Sequence, residues 1–358
     1  MRTALGLARR GLGRVWPNPA VGCVLVAGGR VVGRAATGAG GRPHAEAIAL
    51  ARAGARARGA TAYVTLEPCA HTGRTPPSTE ALIGAGVTRV VVAHQDPDPR
   101  VNGRGLAALA AAGIAVETGC LAAEAEALNR GFLTRVTQGR PMLVLKLATS
   151  LDGRIATAAG ESRWITGPQA RAEVHLMRAQ ADAVLVGAGT ARADDPRLDV
   201  RGLGLAAASP VRVVLAGTLD LPATGRLAAS AAEAPLWLCH HAGADAARRR
   251  FWAERGATLI EIPGRAPGRL DLGAVLQELG RRGLTRVLCE GGGQLAGALL
   301  DAGLVDEVVA YAAGVMLGGA GVPAVGALAP VPLAEAPRFR LAAVDRVGPD
   351  VRSRWVRE

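Results

Sequence analysis

Apolar and polar positions along the first 120 residues fall into short strands and helices that take turns. VGCVLVAGGRVVGRAAT holds two β-branched runs around Gly28-Gly29 and predicts a hairpin. HAEAIALARAGARARG has helical spacing and a Gly stop. A strand (TAYVTL), a loop ending in Pro-Pro, a helix (STEALIGAG), a strand (RVVVAH) and a helix (GRGLAALAAAG) follow. Strand and helix in alternation predict an α/β sandwich on a largely parallel sheet, with the chemistry in loops after strand ends.

LAAEAEALNRGFLTRVTQGR reads as a polar-faced helix and connector. Beyond Pro141 the rhythm resumes with strand MLVLKLATS, helix PQARAEVHLMRAQ, strands DAVLVG, VRVVLA and TRVLCE, and a helix after GGGQ. At 358 residues two domains are expected. The boundaries read as 1–120, a connecting helix and linker at 121–140, and 141–358, both domains being α/β.

Apolar runs such as Val21 to Ala27 are broken well short of a membrane span. Arginines inside the apolar stretch of MRTALGLARRGLGRVWPNP argue against a secretory leader, so a cytoplasmic location is expected. Five scattered cysteines suit reduced thiols or a metal ligand better than a disulfide framework. The net charge of +12 is uneven: residues 1–140 carry 17 arginines and no lysine against 8 acids, residues 141–358 carry 25 basic residues against 22 acids. Without a basic run or stacking aromatics, the first domain suits a phosphorylated small molecule better than a polynucleotide. Lys146 is the single lysine among 42 basic residues; a need for an ammonium that can lose a proton and chance survival of a coding bias explain it equally well.

The chemistry concentrates in three pieces of the first domain. Pro-His44-Ala-Glu46 opens a helix, Glu67-Pro68-Cys69 follows a strand, and Ser78 opens the next helix. Zinc deaminases need a His or Cys with two further soft ligands, and a Glu outside the ligand set to move protons between water and the base. A His-x-Glu step at a helix start lets both side chains face one pocket. By itself the step is weak evidence; joined to Glu-Pro-Cys at this separation it is strong.

In PNPAVGCVLV, HAE, TAYVTLEPCAHTGRTPP, QDPDP, LNRGFL, KLATSLDGRIAT, GESRWITGPQAR, RADDPRLDVR and CEGGGQLAGALL the chain resembles the bifunctional riboflavin biosynthesis family, diaminohydroxyphosphoribosylaminopyrimidine deaminase fused to 5-amino-6-(5-phosphoribosylamino)uracil reductase. The resemblance covers nearly the full length. It implies a cytidine-deaminase-like α-β-α sandwich followed by a dihydrofolate-reductase-like α/β domain. It also implies zinc on His44 and Cys69, with Glu46 as proton shuttle. The family's third ligand is a Cys nine residues after the first, where this chain has Ser78. A thiol of pKa about 8.5 becomes thiolate on zinc, whereas a hydroxyl is a hard, poor ligand, so a weakened deaminase is expected. Ser78 is open to three readings: natural loss of activity, an introduced residue, or a tolerated variant. Asn18, His71, Arg74 and Thr75 are the candidate substrate contacts here, with Arg74 and Thr75 gripping phosphate.

In the second domain a strand, three glycines and a helix (VLCEGGGQLAGALL) form an anion site suited to a dinucleotide phosphate. The standard Gly-x-Gly-x-x-Gly fingerprint is absent. The resemblance implies NADPH on Ala148, Trp164, Thr190, Asp194, Gly292 and Gly293, and substrate on Ser162, Arg178, Leu198, Arg201 and Glu290. Arg178 and Arg201 would hold the phosphate. Reducing the open ribose aldehyde needs a hydride and a proton on the new alkoxide, for which Lys146 or Glu290 are candidates. The leading function is therefore deamination of a ribosylaminopyrimidine phosphate followed by NADPH reduction of its ribose, in a homo-oligomer. A reductase with a weakened or dead deaminase, and a nucleic-acid deaminase or binder, are the alternatives. No membrane and no nucleic-acid partner is expected.

Overall fold

A computed structural model describes residues 1–71, 76–204, 209–266 and 269–358. The chain divides into two compact units, one of Met1–Arg140 with Gly283–Thr285, the other of Pro141–Arg282 with Arg286–Glu358.

The first unit runs α1 (Arg2–Arg9), β1 (Gly22–Ala27), β2 (Arg30–Ala36), α2 (Ala45–Ala53), β3 (Thr61–Val64), α3 (Ser78–Gly84), β4 (Arg89–Val92), α4 (Arg104–Ala111), β5 (Ala115–Thr118) and α5 (Ala122–Gln138). Gly28 and Gly29, at φ 55° and 72°, supply the left-handed pair that a tight hairpin between β1 and β2 requires. The sheet order is β2-β1-β3-β4-β5. This corrects the expected largely parallel sheet: β1 pairs antiparallel with both β2 and β3, and only β3, β4 and β5 run parallel. The hairpin forces the first pairing, and β1 then occupies the place beside β3 that a parallel strand would need.

The core of this unit packs Leu25, Val64, Val90 and Val92 of the sheet against Ala45, Ala49, Leu82 and Leu109 of the helices. Helix α5 belongs to the same unit. Its buried Asn129 accepts from the Ala20 N–H at 2.9 Å and donates to the Ala20 carbonyl at 3.0 Å. Such a pairing satisfies an otherwise orphaned stretch of backbone ahead of β1.

The second unit continues with β6 (Met142–Ser150), β7 (Arg154–Ala156), α6 (Pro168–Ala179), β8 (Ala183–Gly187), α7 (Ala188–Asp194), β9 (Val211–Leu215), α8 (Arg226–Ala229), β10 (Leu236–His240), α9 (Ala246–Glu254) and β11 (Thr258–Glu261). Then come β12 (Gly264–Ala266), β13 (Arg269–Leu270), α10 (Leu272–Arg281), β14 (Arg286–Cys289), α11 (Gly293–Asp301), β15 (Glu307–Ala313), β16 (Val322–Pro323), β17 (Phe339–Val347) and β18 (Asp350–Arg357). Its main sheet has the order β11-β10-β9-β8-β14-β6-β15-β18-β17. From β11 to β15 the strands are parallel; β18 and β17 close the edge antiparallel. Buried on both faces, the central strands are near-continuous apolar runs such as Ala183–Gly187 and Val211–Leu215. Among the described residues no helix is long and apolar enough to cross a membrane.

Candidate functional site

In the first unit the end of β3 and the starts of α2 and α3 converge on a cleft enclosing about 680 Å³, part of it open to solvent. His44 is the residue preceding α2, in extended conformation, and Glu46 lies in the first helical turn. That placement turns both side chains into the cleft. Cys69 follows β3 and is held by the start of α3, where Ser78 N–H donates to its sulfur at 3.4 Å and Thr79 N–H to its carbonyl at 3.2 Å. The Ser78 hydroxyl lies 3.0 Å from His44 Nδ1 and 3.7 Å from Cys69 Sγ, and the last two atoms are 3.5 Å apart.

These three separations test the site for a metal. A zinc ion with bonds of about 2.0–2.3 Å sets neighbouring tetrahedral donors roughly 3.3–3.8 Å apart. The two separations from Cys69 Sγ, 3.5 and 3.7 Å, fall in that range, whereas His44 Nδ1 and the Ser78 hydroxyl, at 3.0 Å, sit at hydrogen-bond distance and would have to part slightly around an ion. One of the three donors is a hydroxyl oxygen. Accordingly, among the described residues no group of three His, Cys, Asp or Glu side chains forms a metal cluster.

Glu46 is 3 % exposed, and burial pushes its carboxyl up to about 7, against a smaller opposing pull from hydrogen bonds that include the Ser78 hydroxyl. A carboxyl poised there can take and return a proton near neutrality. Burial first, then the Arg42 and His71 charges, lower the His44 imidazole to about 4. Asn18 and His71 also line the cleft, and His71 Nδ1 is buried without a hydrogen-bond partner among the described residues. Arg74 and Thr75 lie outside the described residues.

Sequence reasoning missed several cleft residues. Glu67, quoted only as part of a motif, accepts backbone N–H bonds from Asp96, Gly103, Gly105 and Leu106 at 2.9–3.3 Å. It thereby pins the 96–106 loop that brings Asp96, Asp98 and Arg100 to the cleft. Asp98 is gripped by the Arg100 guanidinium at 2.5–3.1 Å, and burial raises the Asp96 carboxyl to about 6. Arg42 donates from its guanidinium to His44 Nε2. The QDPDP motif signalled the acids, whereas nothing in the pattern marked Arg42.

In the second unit, parallel pairing aligns Leu145 of β6 with Cys289 at the end of β14, so Lys146, midway along β6, comes beside Glu290, the residue just past β14. Glu290 binds Arg178 of α6 through two hydrogen bonds, Nε–Oε1 at 2.6 Å and Nη2–Oε2 at 3.0 Å. The third guanidinium nitrogen donates to the Asp199 carbonyl at 3.0 Å. The fork that would match phosphate is met here by a carboxylate, so this geometry adds no support to the expectation that Arg178 grips phosphate. Arg201 is half exposed and keeps its guanidinium near Asp199 at 3.4 Å. Burial pulls the Lys146 ammonium below its ordinary value, while Glu290 opposes. Burial also pushes Glu290 up, but Arg178 and Lys146 outweigh it and hold the carboxyl below its ordinary value.

Thr190 Oγ accepts from Gly292 N–H at 3.1 Å, uniting two expected cofactor contacts. Gly293 opens α11 so close to neighbouring backbone that a Cβ would meet the Pro323 carbonyl oxygen at 2.4 Å. Ala148 sits on β6 opposite Tyr311. Trp164 is 70 % exposed, with the Arg171 guanidinium 4.5 Å from its ring centre. Asp194 accepts through its carbonyl from Arg163, and Ser162 is exposed. The Leu198 side chain belongs to the hydrophobic core, at 3 % exposure, so a ligand meets this residue only through its backbone.

A buried acid beside a His–Cys–Ser corner in one unit, and a Gly-rich strand end beside a buried cation cluster in the other, point to the class: a bifunctional deaminase and reductase. Residues 1–94 match the cytidine and deoxycytidylate deaminase zinc-binding region, and residues 141–353 match the RibD C-terminal domain. Riboflavin biosynthesis protein RibD of Escherichia coli K12 is 45 % identical over 364 residues, covering 98 % of this chain and 96 % of that protein. The Bacillus amyloliquefaciens protein of the same name is 39 % identical, covering 98 % and 94 %. The solved structure of Acinetobacter baumannii RibD, form 1, has a TM-score of 0.89 at 41 % identity, covering 100 % and 98 %. A diaminohydroxyphosphoribosylaminopyrimidine deaminase/5-amino-6-(5-phosphoribosylamino)uracil reductase from Thermotoga maritima has 0.87 at 33 %, covering 100 % and 97 %.

The chain belongs to the RibD family of riboflavin biosynthesis. It is a bifunctional deaminase and reductase of a phosphorylated ribosylaminopyrimidine, with zinc and NADPH as cofactors. Neither the reductase-only nor the nucleic-acid alternative gains support, since both domains are present.

Proposed function

We propose that the first unit hydrolyses the 2-amino group of 2,5-diamino-6-ribosylamino-4(3H)-pyrimidinone 5′-phosphate, and that the second reduces its ribosyl group to ribityl with NADPH. The observation that carries the first step is the buried Glu46 carboxyl, poised near 7 beside His44, Cys69 and Ser78. These three residues would hold the zinc, which would supply Lewis acidity. Glu46 takes one proton from the attacking water as its oxygen adds to C2, then delivers it to the departing amine, so ammonia leaves as the C2–N bond breaks. Asn18 and His71 line the cleft where the base would lie, which supports a role in orienting it. Arg74 and Thr75 complete the reading as phosphate contacts.

For the second step, Ala148, Trp164, Thr190, Asp194 and the Gly292-Gly293 turn would hold NADPH, which would supply a hydride. The product, 5-amino-6-ribitylaminouracil 5′-phosphate, keeps its nitrogen on C1′. The acceptor is therefore the imine of the ring-opened ribosylamine, not a free aldehyde. Hydride adds to C1′ and a proton goes to nitrogen. Lys146, enclosed and lowered from its ordinary value, is the donor of that proton, with Glu290 positioning it. Arg201 is the phosphate ligand; Ser162 and the Leu198 backbone border the substrate.

Separate assays of ammonia release and NADPH oxidation test the assignment. Glu46→Gln should abolish only the first, and Lys146→Met should slow only the second. Loss of both signals in either variant, with the fold intact, overturns the division of labour. The same reading has a homo-oligomer, supported by Leu341 and Val344 exposed on edge strand β17 and checked by light scattering, in the cytoplasm, which cell fractionation checks.

A further inference from the structure

The metal corner of the first unit differs in two ways from what a tightly held zinc requires, and the two act on different ligands. Ser78 presents oxygen where a second thiolate would stand, 3.0 Å from His44 Nδ1 and 3.7 Å from Cys69 Sγ. A hydroxyl gives up its proton far less readily than a thiol and is a hard donor for this ion. The ring of His44 meets the second obstacle. Histidine ligands of metals generally donate their remote ring N–H to an acceptor, which fixes the tautomer and strengthens the ligand. Here the remote nitrogen, Nε2, faces the Arg42 guanidinium, which has donors only. A guanidinium cannot take the ring N–H, so His44 lacks the acceptor that orients a histidine ligand.

We infer that this chain carries a one-thiolate, exchangeable zinc centre, so that its deaminase follows the supply of free zinc while its reductase does not. The inference rests on the His44–Cys69–Ser78 assignment proposed above. Its consequence is regulatory: the metal enters and leaves without unfolding the site, because α3 and the Cys69 loop are held together by backbone bonds of their own. These are the bonds from Ser78 N–H to Cys69 Sγ and from Thr79 N–H to the Cys69 carbonyl.

The test uses the full chain stripped by a chelator and titrated with zinc ion in competition with a chromophoric chelator. Ser78→Cys should bind zinc about 100-fold more tightly than the unaltered chain and release one more proton per ion bound. Ammonia release should return in the stripped parent only at about 100-fold higher free zinc than in the variant, by the same affinity ratio. Cobalt(II) loading of the unaltered chain should give a thiolate-to-metal absorption of one-thiolate intensity. This readout stands even if Ser78→Cys misfolds. Equal zinc affinity in the two chains, or two-thiolate intensity in the parent, overturns the inference. His44→Ala is the separate check on the assignment beneath it: a variant that binds zinc as the parent does overturns that assignment, whatever Ser78→Cys shows.

Discussion

The two units bury ionisable groups in opposite ways. In the second, Arg178 and Glu290 meet through two hydrogen bonds at 13 % and 10 % side-chain exposure, and each holds the other in its charged form. In the first, Glu46 is buried with no cation bonded to it among the described contacts, and its carboxyl rises to about 7. The physics is the same in both places, since burial penalises charge. What differs is the partner. A paired carboxylate is fixed and organises its neighbours; an unpaired one stays near its titration point and is available for proton transfer. Glu46 is thereby left for proton transfer, whereas Glu290 holds Arg178 and positions Lys146.

The sharpest way to break this contrast is Glu46→Gln. Ammonia release should fall by about 10²–10⁴-fold, the usual share of a positioned acid–base group, with NADPH oxidation unchanged. A fall of less than tenfold would place the proton shuttle elsewhere.

Glu290→Gln should act on stability, beyond any slowing of the reductase through Lys146. It leaves Arg178 buried without its counter-charge, which costs roughly 3–5 kcal/mol. Because Glu290 is held below its ordinary value of 4.5, its contribution is complete above that pH and is lost as pH falls below it. Thermal unfolding of variant and parent should thus differ most near neutrality and converge on acidification. A gap that widens at low pH would reverse the sign argued here.

Glu67→Gln probes a buried carboxylate in the first unit that is fixed by hydrogen bonds without a cation. Only one acceptor oxygen would remain for the four N–H groups that Glu67 now receives, and the 96–106 loop should loosen by about 1–3 kcal/mol. Faster amide hydrogen exchange at Gly103, Gly105 and Leu106 reads this directly; unchanged exchange would assign the loop's order to other contacts. The smallest effect is expected of Arg42→Gln. Giving His44 Nε2 an acceptor should tighten zinc about 10-fold, close to 1.4 kcal/mol. An unchanged zinc titration would remove the guanidinium from the account of the metal site.

Much of this was legible along the chain. The hairpin of β1 and β2 follows from Gly28-Gly29, and the helices starting near His44 and Ser78 follow from apolar spacing. The cleft residues His44, Glu46 and Cys69 were found through motif spacing, because each motif sits at a strand end or helix start where local geometry fixes its direction; His71 came only through the family resemblance. Strand β5 escaped because its residues are mostly exposed and do not alternate with the core. Strands β17 and β18 escaped similarly, with arginines threaded among their apolar positions. Arg178 was assigned to phosphate because its residue type suits phosphate equally well; only its position opposite Glu290 decides which anion fills the fork.

The amino-acid sequence by itself determined the two-domain α/β plan, the register of the catalytic motifs, and the substitution of oxygen for sulfur at residue 78. These depend on local periodicity, turn chemistry and residue identity, all read within a short window. Only the tertiary structure decided that Glu46 loses its water, that Arg178 is consumed by a carboxylate 112 positions away, and that Arg42 turns its donors on His44. Solvation and charge pairing depend on which strands and helices become neighbours, and the direction of a long flexible side chain depends on what surrounds it. Residue order alone carries neither.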